Sequence, residues 1–294
     1  MQAFKDIFSK ATLEEKKILS FEFFPPKKEE LLSTTEALIF DLSKLNPAFM
    51  TVTYGAGGGT REYSKRLVSF ITRNTDIPAV SHLTCVGHSK EEISFILKQL
   101  KAVGVNHILA LRGDPPLDQT DFTPHPDGFT CARDLAKFIS TEGDFSVSVA
   151  GYPEGHKDAE SRAAELNYLL EKAQAPSECI ITQIFFDPEI YFSFSREAKE
   201  AGINIPIIPG IMPVQSVSQL ERFTSMCGSS IPEAMLADFR AIQDDNEKVI
   251  EYGTEYAIIQ IRALSKGGAP GVHLYTLNKG AQVKKIVESL SEYF

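Results

Sequence analysis

The chain has 294 residues, 43% of them hydrophobic and 23% charged, with a formal net charge of −9. That length accommodates one large α/β barrel or two small domains, and no apolar stretch approaches the ~18 residues of a membrane span. The acid excess, with no basic run longer than a pair, speaks against a general nucleic-acid role, because phosphate backbones need concentrated Lys and Arg.

Residues 1–17, MQAFKDIFSKATLEEKK, form a charged amphipathic segment, expected as a short N-terminal helix. It lacks the long apolar core and small-residue cleavage site of a secretory signal, so the expected address is the cytoplasm. Eight apolar runs then predict strands over 18–24, 49–54, 77–84, 107–112, 145–150, 179–186, 205–209 and 272–277. Helical patterns fall over 29–45, 61–73, 90–103, 130–141, 158–173, 188–201, 216–226 and 244–266, with an extra rim helix near 232–241. Ser89 before Lys-Glu-Glu supplies a start signal, and Gly104 and Gly202 supply stops. Strands alternating with helices at this spacing call for parallel βαβ units, and eight of them call for closure into a (β/α)8 TIM barrel. The expected organisation is a single catalytic domain over 1–294 without a regulatory domain. Two loops, 113–129 and 210–216, exceed what a βα connection needs and are expected to cover the site.

Most of these runs end in a polar residue that a buried strand disfavours: Glu22 among three phenylalanines, then Thr53, His82, Arg112 with Asp114, Tyr152, Gln183 and Asn278. Eight-stranded parallel barrels concentrate their chemistry at the carboxyl ends of the strands, so this ring points to an enzyme. A carboxylate at Glu22 must be neutral, paired or catalytic, and alternation sends Phe21 and Phe23 to the opposite face. GAGGGT at 55–60 resembles a dinucleotide fingerprint until Thr60 takes the place of the last glycine, and a glycine loop at a barrel mouth is the simpler account. His82, Cys85 and His88 are possible soft ligands, but their spacing matches no zinc pattern, and no metal is expected. Cys85, Cys131, Cys179 and Cys227 lie far apart without a CxxC pair, as free thiols of a reducing compartment would. Arg112 and Asp114 could satisfy one another at a turn, Gln183 could be a satisfied buried amide, and Tyr152-Pro-Glu-Gly-His156 could be a simple turn.

Taken in order, SFEFFPPK, VTYGAGGGTR, HLTC, HILALRGDPP, AGYPEGH, ITQIFFD, IIPGIMPV and HLYTLN resemble the bacterial 5,10-methylenetetrahydrofolate reductases over about residues 18–279. The resemblance implies a (β/α)8 barrel with noncovalent FAD. Hydride taken from NADH or NADPH, NADH being favoured, passes to methylenetetrahydrofolate to form 5-methyltetrahydrofolate for methionine synthesis. It implies homo-oligomers, and no nucleic-acid or membrane partner is expected. Glu22 would be the general acid that protonates N10, a task that needs a carboxyl pKa raised well above its ordinary value. Asp114 would stay ionised, beside both flavin and folate, and steady the iminium cation. The resemblance places FAD at Thr53, Tyr54, Ala56, His82, Arg112, Gly113, Asp114, Ala132, Tyr152, His156, Glu165 and Lys172. It places folate or nicotinamide at Asp114, Gln183, Gln219, Phe223 and Lys279, in one shared site that implies ping-pong turnover.

Three positions depart from the family pattern: Cys131 stands where an aromatic is common, Glu165 where an aspartate is, and Lys279 where arginine is frequent. Lysine lacks the planar fork that arginine offers a folate carboxylate. The rival readings are another FAD-dependent barrel oxidoreductase of the proline-dehydrogenase kind, and a catalytically silent folate- or flavin-binding subunit.

Overall fold

In a computed structural model, which describes residues 2–54, 58–113 and 123–294 with backbone alone at 58 and 59, eight parallel strands close into a barrel in chain order. They are β1 (Ile18–Phe23), β2 (Phe49–Val52), β3 (Ala79–Thr84), β4 (His107–Leu111), β5 (Ser146–Gly151), β6 (Ser177–Ile184), β7 (Ile207–Ile211) and β8 (Gly271–Tyr275). Closure comes from β1 pairing with β8, Ser20 opposite His273 and Glu22 opposite Tyr275. Each predicted strand is present, shifted by a few residues at its ends.

The helices are α1 (Phe4–Leu13), α2 (Leu32–Ser43), α3 (Gly58–Asn74), α4 (Lys90–Ala102), α5 (Ala132–Thr141), α6 (Arg162–Gln174), α7 (Pro188–Glu200), α8 (Val217–Cys227), α9 (Glu233–Ala241), α10 (Asn246–Lys266) and α11 (Gly280–Glu288). Local chemistry sets several starts. Ser89 and Glu92 form a reciprocal capping box on α4, and Asp187 caps α7 with Pro188 in its first turn. The pattern over 158–173 begins its helix later than expected, because Ser161 accepts from the Ala164 N–H and residues before it turn. The stretch 29–45 opens as a 3-10 turn over Glu29–Leu31 before α2. The sequence pattern missed α11, which follows β8 and buries Val283, Ile286 and Val287.

Period-two alternation divides the barrel wall. Phe21 and Phe23 face outward into the helix layer with Met50, Val52, Leu83 and Ile108. Inside, Phe4, Ile7 and Phe8 of α1 close the amino end against Ile18, Phe49, Val80, Leu109, Cys179, Ile181 and Ile208. Burial of one such side chain contributes about 1.5–3 kcal/mol. The carboxyl half of the interior is polar instead, and the chemistry sits there. Among the described residues no helix is long and apolar enough to cross a membrane.

Candidate active site

Glu22 points into the barrel near the carboxyl end of β1 and is 5% exposed. Its Oε2 lies 3.3 Å from His82 Nε2 and 3.4 Å from His273 Nε2. The His273 contact is a hydrogen bond, whereas His82 Nε2 lies close without hydrogen-bond alignment to any partner. On its other side His273 Nδ1 meets Ser20 Oγ at 2.8 Å. Thr276 fixes the Glu22 carbonyl, donating from its N–H at 3.2 Å and its hydroxyl at 2.6 Å. Leu277 and Asn278 then take left-handed φ values of 49° and 56°, conformations held in place where the Asn278 amide bonds both the N–H and the carbonyl of Phe24.

Burial by itself raises a carboxyl pKa. Here the charge interaction with the close His82 and the hydrogen bond from His273 outweigh it and hold Glu22 at about 2. An acid was expected to have a raised pKa, and the protein's own groups act in the opposite sense because two imidazoles converge on one oxygen.

From Glu22 a cavity of about 660 Å3 runs along the strand ends. Thr53, His82, Arg112, Gly113, Ala132, Tyr152, His156, Glu165, Lys172, Gln183 and Phe223 all line it with Glu22. At its far end Arg112 leaves β4 ahead of Gly113, whose φ of +83° disfavours any side chain and where a Cβ would come within 2.8 Å of the Thr84 side chain. Arg112 Nη2 donates to Asp158 Oδ2 at 3.2 Å. Tyr152 and His156 stack edge to face at 4.7 Å. Burial, followed by the Arg112 charge, lowers the His156 pKa. Lys172 is buried beneath this loop with Nζ donating to the Ala150 carbonyl at 2.7 Å. Burial brings its pKa down to about 8 against the opposing pull of Glu165. Glu165 is also buried, and its Oε1 has no partner.

Gln183 enters the cavity from β6, where the register with β7 slips between Ile181 and Ile184. Thr182 and Gln183 fall opposite Pro209, which has no N–H to extend the ladder. Gly210 leaves room for Tyr275, since a Cβ there would come within 2.7 Å of the ring. The Tyr275 hydroxyl donates to the Thr182 carbonyl at 2.7 Å. On α8, Phe223 lines the cavity with Met226 and Cys227.

Other expected site residues lie elsewhere. Tyr54 turns outward, its hydroxyl 3.0 Å from His88 Nε2 and its ring under Arg61. Lys279 is exposed at the start of α11, and neither it nor Gln219 lines the cavity. Gln219 nonetheless carries a buried Oε1 without a partner. Ala56 and Asp114 fall outside the described residues. His88 bonds Tyr54 while Cys85 Sγ bonds the Arg112 carbonyl, and among the described residues no group of three His, Cys, Asp or Glu could hold a metal ion. The sequence pattern passed over Ser20, His273 and Tyr275, although the alternation in HLYTLN and LSFEF sets all three on the inner face with Glu22.

Fold and cavity together define a (β/α)8 barrel enzyme with a buried carboxylate at one end of its site and cations at the other. The chain belongs to the methylenetetrahydrofolate reductase family of oxidoreductases: the family model described as methylenetetrahydrofolate reductase matches residues 7–291. The 5,10-methylenetetrahydrofolate reductase of Escherichia coli (strain K12) is 37% identical over 272 residues, covering 92% of this chain and 90% of that relative. Methylenetetrahydrofolate reductase (NADH) 1 of Arabidopsis thaliana is 36% identical over 270 residues, covering 88% of this chain and 46% of the relative. The chain spans about half the length of the plant relatives it matches. Among solved structures, an uncharacterized protein from Clostridium thermocellum, described as binding two copies of 5-methyl-5,6,7,8-tetrahydrofolic acid, superposes with a TM-score of 0.64. At 16% identity over 97% of this chain and 98% of that one, the likeness shows the fold alone.

Proposed function

We propose that the chain reduces 5,10-methylenetetrahydrofolate to 5-methyltetrahydrofolate with hydride from NAD(P)H, NADH being the favoured donor. A noncovalently held FAD would serve two half-reactions in one shared cavity, and the product would supply methyl groups for methionine. The observation that carries this reading is Glu22, a buried carboxylate set between two histidines at the head of a cavity whose far end holds Arg112 and Lys172.

The residues present suit FAD. Arg112 and Lys172, with His156 beside them, would hold the pyrophosphate, and the unpartnered Glu165 oxygen would accept from a hydroxyl at the adenosine end. Ala132 and Tyr152 supply walls, and Thr53 and His82 stand at the ring end. When bound, the flavin supplies a carrier for a hydride and its two electrons.

Glu22 gives a proton to N10 of the substrate. The bond from the bridging methylene carbon to N10 breaks with its electron pair left on N10, and a 5-iminium cation results, ready for hydride. Because the two imidazoles hold the Glu22 pKa low, a proton must be delivered to its carboxylate before it acts. His273 is placed for that role, with Nε2 on Glu22 and Nδ1 on Ser20. Asp114 would steady the cation electrostatically. Gln183 and Phe223, which both line the cavity, orient folate and nicotinamide in turn.

Anaerobic stopped-flow absorbance tests the reading: NADH is added to FAD-reconstituted protein, then methylenetetrahydrofolate. Bleaching of the visible flavin band followed by recovery is expected. Bleaching without recovery would leave a flavin oxidoreductase of another substrate, and no flavin band after reconstitution would leave a binding subunit.

A further inference from the structure

Among the described residues, the phosphate end of the cavity carries charges that balance. Arg112 and Lys172 are the cations there, and Asp158 and Glu165 the carboxylates. His156 adds little positive charge, since its Nδ1 accepts a hydrogen bond from the Asp158 N–H at 3.1 Å and burial disfavours its protonation. The two carboxylates differ in freedom. Glu165 is 4% exposed on α6 and fixed within the wall, whereas the Asp158 side chain is 53% exposed on the loop between β5 and α6. Asp158 Oδ2 lies 3.2 Å from Arg112 Nη2, on a donor a diphosphate would need, and 3.7 Å from His156 Nδ1.

We propose that Asp158 is a counter-ion gate on the phosphate end: it competes with an entering diphosphate for Arg112 and turns to solvent when that ligand binds. The inference rests on the flavin-dinucleotide reading of the cavity and adds to it a residue that weakens binding. Small free phosphates meet an Arg112 already paired with Asp158 and gain little there. A diphosphate attached to a ring system gains apolar contact along the cavity as well, which favours displacement of Asp158. Asp158 thus sets selectivity for long diphosphate ligands over short ones.

The test is a fluorescence-quenching titration of wild-type apoprotein, Asp158→Asn and Asp158→Glu with FAD, with riboflavin as the ligand lacking phosphate. At about 0.02 M salt Asp158→Asn should bind FAD about three- to fivefold more tightly, the scale of one partly exposed ion pair. Asp158→Glu should behave like wild type, and riboflavin should bind all three alike. At about 0.5 M salt the difference should shrink, because screening acts over a few ångströms there. Equal FAD affinity in wild type and Asp158→Asn at low salt overturns the gate, as does an equal gain with riboflavin. If no form binds FAD, the flavin reading itself fails, and calorimetric titration with inorganic pyrophosphate decides the gate: tighter binding by Asp158→Asn retains it, and equal binding overturns it.

Discussion

At the amino end of the barrel His107 Nε2 contacts the Gln2 carbonyl at 2.8 Å and its ring lies edge-on to Phe4, whereas farther up the same interior His82 and His273 converge on Glu22. Both ends bury imidazoles. At the lower end α1 covers them with Phe4, Ile7 and Phe8, ties in through the Phe4 N–H to Ser146 Oγ at 2.9 Å, and leaves a closed apolar plug. At the upper end Thr51 Oγ1, His82 Nε2 and Glu165 Oε1 are buried without hydrogen-bond partners. Unpartnered buried polar groups cost on the order of 1–3 kcal/mol each. The lower end is closed by apolar contact, whereas at the upper end His82 and Glu165 turn polar atoms towards a cavity that a ligand can enter.

The sharpest way to separate the two ends is Glu22→Gln. Folate-driven reoxidation of the flavin should fall by about 10²–10⁴-fold, the usual range for loss of a general acid, while reduction by NADH continues. Stopped-flow measurement of each half-reaction checks this, and wild-type folate turnover in the variant would sink the mechanism. The same variant tests acid stability. Glu22 is depressed from 4.5 to about 2, so it contributes stability that is present above pH 4.5 and is lost as pH falls towards 2. Urea unfolding across that window should show wild type losing about 3 kcal/mol that Glu22→Gln does not lose.

Phe4→Ala addresses the other end. Removal of this fully buried ring should lower unfolding free energy by about 3–5 kcal/mol and leave both half-reactions intact at temperatures where the fold survives. A large loss of folate turnover in the folded variant would mean that the ends are not separable.

Lys172→Met should have opposite signs on stability and binding. A lysine lowered from 10.5 to about 8 takes up its proton more readily in the unfolded chain, so wild-type stability rises as pH climbs from 8 to 10.5. The variant should be about 1–3 kcal/mol more stable at neutral pH, lack that rise, and bind FAD at least about tenfold more weakly. Denaturation over that pH range and a flavin titration read the two effects separately. The smallest change is expected for Ser20→Ala, which removes the hydroxyl behind His273. About 0.5–1.5 kcal/mol should appear in the folate half-reaction and its pH profile, with flavin affinity unchanged. An unaltered pH profile would remove Ser20 from the proton path.

Much of the upper end was legible in the sequence because a polar residue at the close of an apolar run stands out locally. Glu22, His82, Arg112, Tyr152 and Gln183 are all of this kind, and all line one cavity. Tyr54 and Lys279 show the limit of a motif, which fixes position along the chain but not the direction of the side chain. Tyr54 is drawn outward by His88 and Arg61, and Lys279 follows a left-handed turn onto the surface. At the lower end the amphipathic stripe of α1 was visible, but the surface it would cover was not.

The sequence by itself determined the eight strand-and-helix units, the inward turn of Glu22 and the outward turn of Phe21 and Phe23, because periodicity and capping act within a few residues. Only the tertiary structure decided what meets Glu22. Barrel closure sets Ser20 beside His273, 253 positions later, and so brings His273 Nε2 onto Glu22. The pairing of β4 with β5 brings Asp158 to Arg112 across 46 positions, and the closed barrel gives α1 the end that it covers. Such contacts depend on the register of a closed sheet, and no local pattern of residues encodes which strand will be the neighbour.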